Sequence, residues 1–249
     1  MLTLIKVVLT ALGTFIYITL FELKKLEKLS EKARVFEARK ILKTLARRII
    51  KAAKINLEVE YEDKVAIEKL RFEDGIVFIA NHQSNFDIPI LVSALDIPIG
   101  FVAKKEMESW PFYSTWMKES NCIFLDRSNP REGIKSMKKA TAVVKSGYPT
   151  VIFPEGERSL DGQIKTFKKG SFKLAKDANG VIIPILIDGA FDVQKKKSIR
   201  INSNQTVFVK VGKPIHVQKY DENKKGELNK YVQEQIQKMK SSKINTKKV

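Results

Sequence analysis

The sequence predicts an α/β domain on a mixed, largely parallel central sheet flanked by helices, preceded by two N-terminal helices. Three observations lead there. Seven strand-like segments, "INLEVEY", "GIVFIA", "IPIGFVA", "CIFLD", "TVIF", "VIIPILI" and "TVFVKVG", follow one another. Helical patterns lie between several of them, at Ile88 to Leu95, Arg131 to Lys145 and Phe172 to Asp177. The chain has 249 residues, 43% of them hydrophobic, with no internal repeat and no Gly/Ser linker, which suits one core. Alternating strands and helices bury a sheet on both faces, so its strands read as unbroken apolar runs.

The N-terminal stretch "MLTLIKVVLTALGTFIYITLF" is apolar apart from Lys6 and a few threonines. Its length is near the roughly 20 residues that span a bilayer as a helix. No A-x-A-like cleavage site follows, which favours a retained anchor over a signal peptide. Lys24, Lys25 and Lys28 come next. If the helix spans, they leave the rest of the chain in the cytosol; lying in one leaflet is the other possibility. In "EKARVFEARKILKTLARRIIKAAK", Leu42, Leu45, Ala46, Ile49, Ile50 and Ala53 form an apolar stripe. Arg39, Lys40, Lys43, Arg47, Lys51 and Lys54 surround it, a pattern suited to an anionic bilayer or to a domain helix with a basic outer face. Residues 1–55 are thus read as membrane-associated helices. Residues 56–249 are read as the α/β domain, with a basic C-terminal tail holding one polar helix, Lys230 to Lys240, before it frays.

The net charge of +18 calls for an acidic partner: nucleic acid, an anionic membrane, or an acidic protein or substrate. The aromatic residues do not interleave with lysines as in RNA-binding motifs, so no nucleic acid is expected. An anionic membrane surface accounts for both the charge and the apolar N-terminus. A single cysteine, Cys122, excludes an intrachain disulfide and a cysteine-rich zinc site. Two histidines far apart, His82 and His216, make no metal ligand set.

The stretch "NHQSNFDIPI" places His82 just beyond "GIVFIA", at a strand's C-terminal edge, where open α/β sheets bind ligands. Ser84 or Asn85 would cap the helix starting near Phe86. Asp87 would then lie in its first turn, within reach of His82. A carboxylate on one ring nitrogen fixes the tautomer and leaves the other as a base. An ordinary loop histidine beside a helix-start acid fits the same letters. "FPEGERS" follows the strand "TVIF", and its Pro154 and Gly156 make a turn beside Glu155, Glu157 and Arg158. Exposed amides next to an arginine suit a phosphate or carboxylate. Arg127 follows "CIFLD", and Lys104 follows "FVA". Four strand exits therefore carry His82, Lys104, Arg127 and Arg158.

These blocks resemble the glycerolipid acyltransferase family: "NHQSNFD" its H-x-x-x-x-D block, "IFLDR" the second, "FPEGERS" the third and "VIIPILI" the fourth, in order, across about Val77 to Ile187. "TFKKGSFKLA" is similar to the family's usual continuation. The resemblance implies acyl transfer from a thioester donor, acyl-CoA or an acidic acyl carrier protein, to the 2-hydroxyl of lysophosphatidic acid at the cytoplasmic face of the cell membrane. It implies His82 as general base and Asp87 as its orienting partner, with no acyl-enzyme. Lys104, Arg127 and Arg158 would bind the acceptor phosphate, Glu155 would touch the glycerol or brace the turn, and the Gly156 N–H would meet the oxyanion. No cofactor beyond the co-substrate and no metal are implied. Glycerol 3-phosphate or another lysophospholipid is the alternative acceptor. Two departures stand out: Glu157 replaces the family's threonine, and Asn121-Cys122 opens the second block where glycine is common.

Overall fold

The computed structural model describes residues 1–223 and 227–246, and side chains in that range except those of 221–223 and 242–246. Three helices come first: α1 (Leu2–Phe21), α2 (Leu23–Leu26) and α3 (Glu31–Ala53). The order then runs β1 (Asn56–Tyr61), α4 (Lys64–Glu68), β2 (Ile76–Ala80), α5 (Asp87–Ala94), β3 (Gly100–Lys104), α6 (Tyr113–Glu119) and β4 (Ile123–Leu125). It continues with α7 (Pro130–Lys145), β5 (Thr150–Ile152), α8 (Lys169–Asp177), β6 (Val181–Asp188), α9 (Ala190–Val193) and β7 (Thr206–Val211). The described part ends with β8 (Ile215–His216), α10 (Val217–Asn223) and α11 (Leu228–Thr246). The tail helix therefore extends past the expected frayed point at Lys240; residues 247–249 lie outside the described residues.

All seven anticipated strands form, in the order β1-β7-β6-β2-β5-β3-β4, and the short β8 adds to β6. Strands β6, β2, β5, β3 and β4 are parallel, whereas β7 and β8 run antiparallel to β6. Every residue of β2 is buried, which is why its sequence shows no alternation. Successive β2 side chains still go to opposite layers. Ile76, Phe78 and Ala80 join a core with Ile50 and Ala53 of α3 and Ile90 and Leu91 of α5. Val77 and Ile79 join one with Ala140 of α7, Leu174 of α8 and Ile236 of α11. Pro184 is tolerated inside β6 because it falls between the β8 partners (Val181, Ile182) and the β7 partners (from Ile185).

The α3 stripe is buried against protein, not left for a bilayer. Leu45, Ala46, Ile50 and Ala53 are all buried, and α1 packs antiparallel along the same helix. Apolar periodicity is identical for the two destinations, so sequence could not separate them. Arg39, read as part of the basic face, is only 2% exposed. Its guanidinium donates to Ser120 O (3.0 Å), Pro98 O (3.1 Å) and Pro149 O (3.0 Å), closing off the N-terminal ends of β3 and β5. Phe36 and Tyr148 rings flank it at 5.9 and 5.7 Å. Gly100 makes the room, since a Cβ there would lie 2.4 Å from Nη2. Burial without a carboxylate partner pushes the guanidinium down to about 10, so it stays charged at neutral pH.

Arg39→Ala would strand the buried carbonyls of Ser120 and Pro149 and the half-buried one of Pro98, and Arg39→Lys could not span them with one ammonium. Both are expected to lower unfolding free energy by roughly 3 kcal/mol, measured by denaturant titration. A loss below about 1 kcal/mol for both would show that Arg39 does not fasten α3 to the sheet.

Candidate active site

At Ala80 a fully buried strand leaves the core, and the buried Asn81, Gln83, Ser84 and Asp87 that follow must satisfy their polar groups within the protein. Asn81 does so by imitating backbone: its Nδ2 donates to Ile187 O (2.9 Å) and its Oδ1 accepts from Ile187 N (2.8 Å). Gln83 donates to Gly162 O (3.1 Å) and accepts from Phe191 N (3.3 Å). Ser84 Oγ donates to Gln194 O (2.9 Å). Asp87, wholly buried, collects three donors on Oδ2: Gln83 N (2.6 Å), Ser84 N (2.9 Å) and the His82 ring at Nδ1 (2.7 Å). The cap differs from expectation. Phe86 is the N-cap of α5 and its ring has no acceptor to offer, while Ser84 Oγ accepts from Phe86 N (3.3 Å) as well as donating to Gln194 O, and Asn85 donates to the Gln194 side chain. Asp87 ties the incoming turn together instead.

A carboxylate only accepts, so the bond fixes the proton of neutral His82 on Nδ1 and leaves the Nε2 lone pair. The ring stacks on Phe153 (4.2 Å between centroids, 16° between planes). Its side chain is 18% exposed, so the imidazole can be reached from outside while its partner cannot.

The turn after β5 grips the same histidine from behind. Glu155 Oε1 accepts from His82 N (2.9 Å), and Ser159 N donates to His82 O (2.8 Å). Glu155 Oε2 accepts from Lys165 N (3.3 Å), which brings in the loop before α8. Glu155 is 3% exposed, and burial raises its carboxyl to about 7. Its geometry is that of a brace.

Two cations, Arg127 and Lys168, meet at Gly156, while Lys104 and Arg158 stand at the β3 and β5 exits. Arg127 Nη1 donates to Gly156 O, joining the β4 exit to the β5 exit. Lys104 ends β3, exposed and without an ion pair among the described residues, while Lys105 is held by Asp126 (2.9 Å). Lys105, Ser128 and the Asn129 amide hold the Asp126 carboxyl far below the usual range. Arg158 is half-buried, also without an ion pair among the described residues. The Gly156 N–H is not the open donor expected: it donates to Phe153 O (3.1 Å) within the turn. Glycine is favoured at this position by φ +77°, and Lys168 Nζ lies close over it. Among the described residues, no three His, Cys, Asp or Glu side chains group to hold a metal ion.

A family model described as Acyltransferase matches residues 58–188, more than half of the chain, and takes in all of these turns. The chain belongs to the acyltransferase family. A 1-acyl-sn-glycerol-3-phosphate acyltransferase of Cocos nucifera is 34% identical over 171 residues, covering 68% of this chain and 54% of that protein. A probable 1-acyl-sn-glycerol-3-phosphate acyltransferase of Mycoplasma pneumoniae is 35% identical over 129 residues, covering 49% of this chain and 48% of that protein. The matches thus span about half the length of these curated relatives. The crystal structure of the 1-acyl-sn-glycerophosphate (LPA) acyltransferase from Thermotoga maritima matches with a TM-score of 0.74 at 25% identity, over 94% of each chain. The mixed, helix-flanked sheet is therefore the fold of a solved acyltransferase.

Within this family frame, sequence analysis did not assign Lys168 to the site. It sits in "TFKKGS", beyond the third block, and its Nζ reaches back over Gly156 without an ion pair among the described residues. Its signal was only the lysine pair before a glycine. Glu157, the departure from threonine, pairs with Lys165 (2.9 Å) and Lys196 (2.7 Å), which hold its carboxyl at about 2. Cys122 precedes β4 at the sheet's opposite edge from His82, and burial pushes its thiol up. A cavity of about 230 Å³ lined by Tyr61, Leu70, Phe72, Phe78, Leu95 and Ile97 opens at the far end of α5 from Asp87.

The Glu155 carboxyl titrates higher folded than unfolded, so between its usual value of 4.5 and about 7 the folded protein holds the extra proton. Its contribution to stability therefore falls as pH rises through that window, by an amount of order 2–3 kcal/mol. Glu155→Gln is expected to flatten this slope in denaturant titrations at several pH values. An unchanged slope would refute the burial-driven shift.

Proposed function

We propose that the protein is a 1-acyl-sn-glycerol-3-phosphate acyltransferase, forming phosphatidic acid from lysophosphatidic acid and an acyl thioester. The observation that carries this reading is the His82–Asp87 bond of 2.7 Å at the C-terminal edge of β2, with Asp87 buried and the imidazole accessible. Nε2 accepts the proton of the acceptor's 2-hydroxyl as its oxygen attacks the thioester carbonyl. Asp87 stabilises the imidazolium that forms. Collapse of the tetrahedral intermediate breaks the C–S bond, and the imidazolium returns the proton to the thiolate. No acyl-enzyme forms, in keeping with the position of Cys122. Glu155 positions His82 through its backbone. Lys104, Arg127, Arg158 and Lys168 neutralise the acceptor phosphate, and Gly156 lets it approach the turn closely.

The thioester is carried by CoA or by an acidic acyl carrier protein, both of which the net charge of +18 attracts. Residues 1–55 attach the α/β domain of residues 56–249 to the cytoplasmic face of the cell membrane. Helix α1 is long and apolar enough to cross a bilayer, and only Val7, Thr14, Phe15 and Ile18 of it are buried against the protein. Its outer face is left for lipid, and basic residues around it suit an anionic leaflet.

The test is acyl transfer in detergent micelles, with lysophosphatidic acid, glycerol 3-phosphate and a neutral lysolipid as competing acceptors. Phosphatidic acid is the expected product. His82→Ala and Asp87→Asn are each expected to lower kcat by roughly 10²- to 10⁴-fold in protein that still folds, with Asp87→Asn also lowering stability because the turn loses its shared acceptor. A folded variant within tenfold of wild type would remove the pair from the chemistry. Lys168→Ala is expected to raise KM for lysophosphatidic acid about tenfold with little change in kcat, about 1.4 kcal/mol of phosphate binding. An unchanged KM would take Lys168 out of the site.

A further inference from the structure

Between β3 and α6 the chain displays aromatic side chains that the core does not use. Trp110 is 48% exposed, Phe112 53% and Tyr113 41%. Phe112 is held outward by a strained backbone, φ +63° and ψ −46°, closed by a Tyr113 N–H bond to Pro111 O (2.7 Å). Such a γ-turn is rare and strained, most of all with a bulky residue at its centre. The loop is also joined to the first helix. Tyr113 packs on Phe15 with the rings tilted (4.6 Å between centroids, 47° between planes), and Trp116 Nε1 donates to Thr19 Oγ1 (3.0 Å). On its other side α1 exposes Leu9 (63%), Leu12 (47%), Ile16 (43%) and Leu20 (64%). The loop begins where β3 ends, at Lys104 and Lys105, one of the strand exits that form the candidate site.

We infer that the Trp110–Tyr113 loop is a second membrane-inserting element, seated in the headgroup region of the bilayer that α1 enters. This rests on the membrane reading given above. Tryptophan and tyrosine favour that interfacial level because one part of the ring system is apolar and the other hydrogen-bonds. With α1 alone, the domain could pivot about one helix. With the loop beside it, Lys104 is held at headgroup depth, where the phosphate of a lipid acceptor lies.

The chain has two tryptophans, and Trp116 is 1% exposed, so Trp110 reports on the loop. The full-length protein would be mixed with vesicles of phosphatidylcholine and phosphatidylglycerol, carrying bromine on the acyl chains either near the headgroup or near the chain end. Sedimentation would measure binding in the same samples. The expected result is a blue-shifted emission, quenched more by the shallow bromines, with that signal missing in Trp110→Phe. Trp110→Ser/Phe112→Ser is expected to weaken vesicle partitioning by about tenfold or more while activity on detergent-dispersed substrate stays within about twofold. Protein that sediments with vesicles while Trp110 emission is unmoved overturns the loop's role and leaves α1 as the anchor. Protein that stays in the supernatant overturns the membrane reading itself.

Discussion

A strand buried on both faces has to end without stranding its polar groups, and the end of β2 at Ala80 meets that demand in an unusually concentrated way. The backbone leaves the core carrying amides that no solvent reaches. One oxygen of Asp87 takes two of them, at Gln83 and Ser84, together with the His82 ring. The same oxygen that satisfies the turn therefore fixes the tautomer of the histidine. Folding and the proposed chemistry share a single acceptor, and the histidine is held in one orientation.

The next layer follows from that acceptor. His82 is gripped at its own N–H and carbonyl by Glu155 and Ser159, so the turns after β2 and β5 cannot move independently. Arg127 then links the β4 exit to Gly156, and Lys168 folds back over the same glycine. Cations from two segments thereby sit against one turn that is itself bonded to His82. At the opposite edge of the sheet Arg39 fastens α3 across the starts of β3 and β5, so the helical element that carries α1 is rigidly joined to the catalytic layer.

Much of this was legible in the sequence. Unbroken apolar runs marked central strands such as β2 and β6, because burial on both faces removes alternation, whereas β7 alternates and β1 carries Glu58 and Glu60 on its exposed surface. The His82–Asp87 pair could be read from spacing, since five residues across a strand exit and a helix start bring the two together. What could not be read was the destination of equivalent patterns. The α3 stripe looks the same whether it meets lipid or protein, and Arg39 carries no local mark of being buried. The short β8 and α10 were missed for lack of a periodic run. The Gly156 amide was a poor guess as an open donor because turn hydrogen bonds are set by backbone dihedrals, not by composition. Lys168 lies outside the recognisable blocks and reaches the site only through the fold.

The account depends on Asp87 holding His82 as the Nδ1–H tautomer, with Nε2 ready to accept a proton. The most direct test is nitrogen NMR of the histidine-labelled protein, which contains only His82 and His216. Above the pH at which the ring titrates, His82 should show a protonated Nδ1 and an unprotonated Nε2, and Asp87→Asn should abolish that preference. A His82 with its proton on Nε2, or with the tautomer mixture of a free imidazole, would contradict the account at its centre.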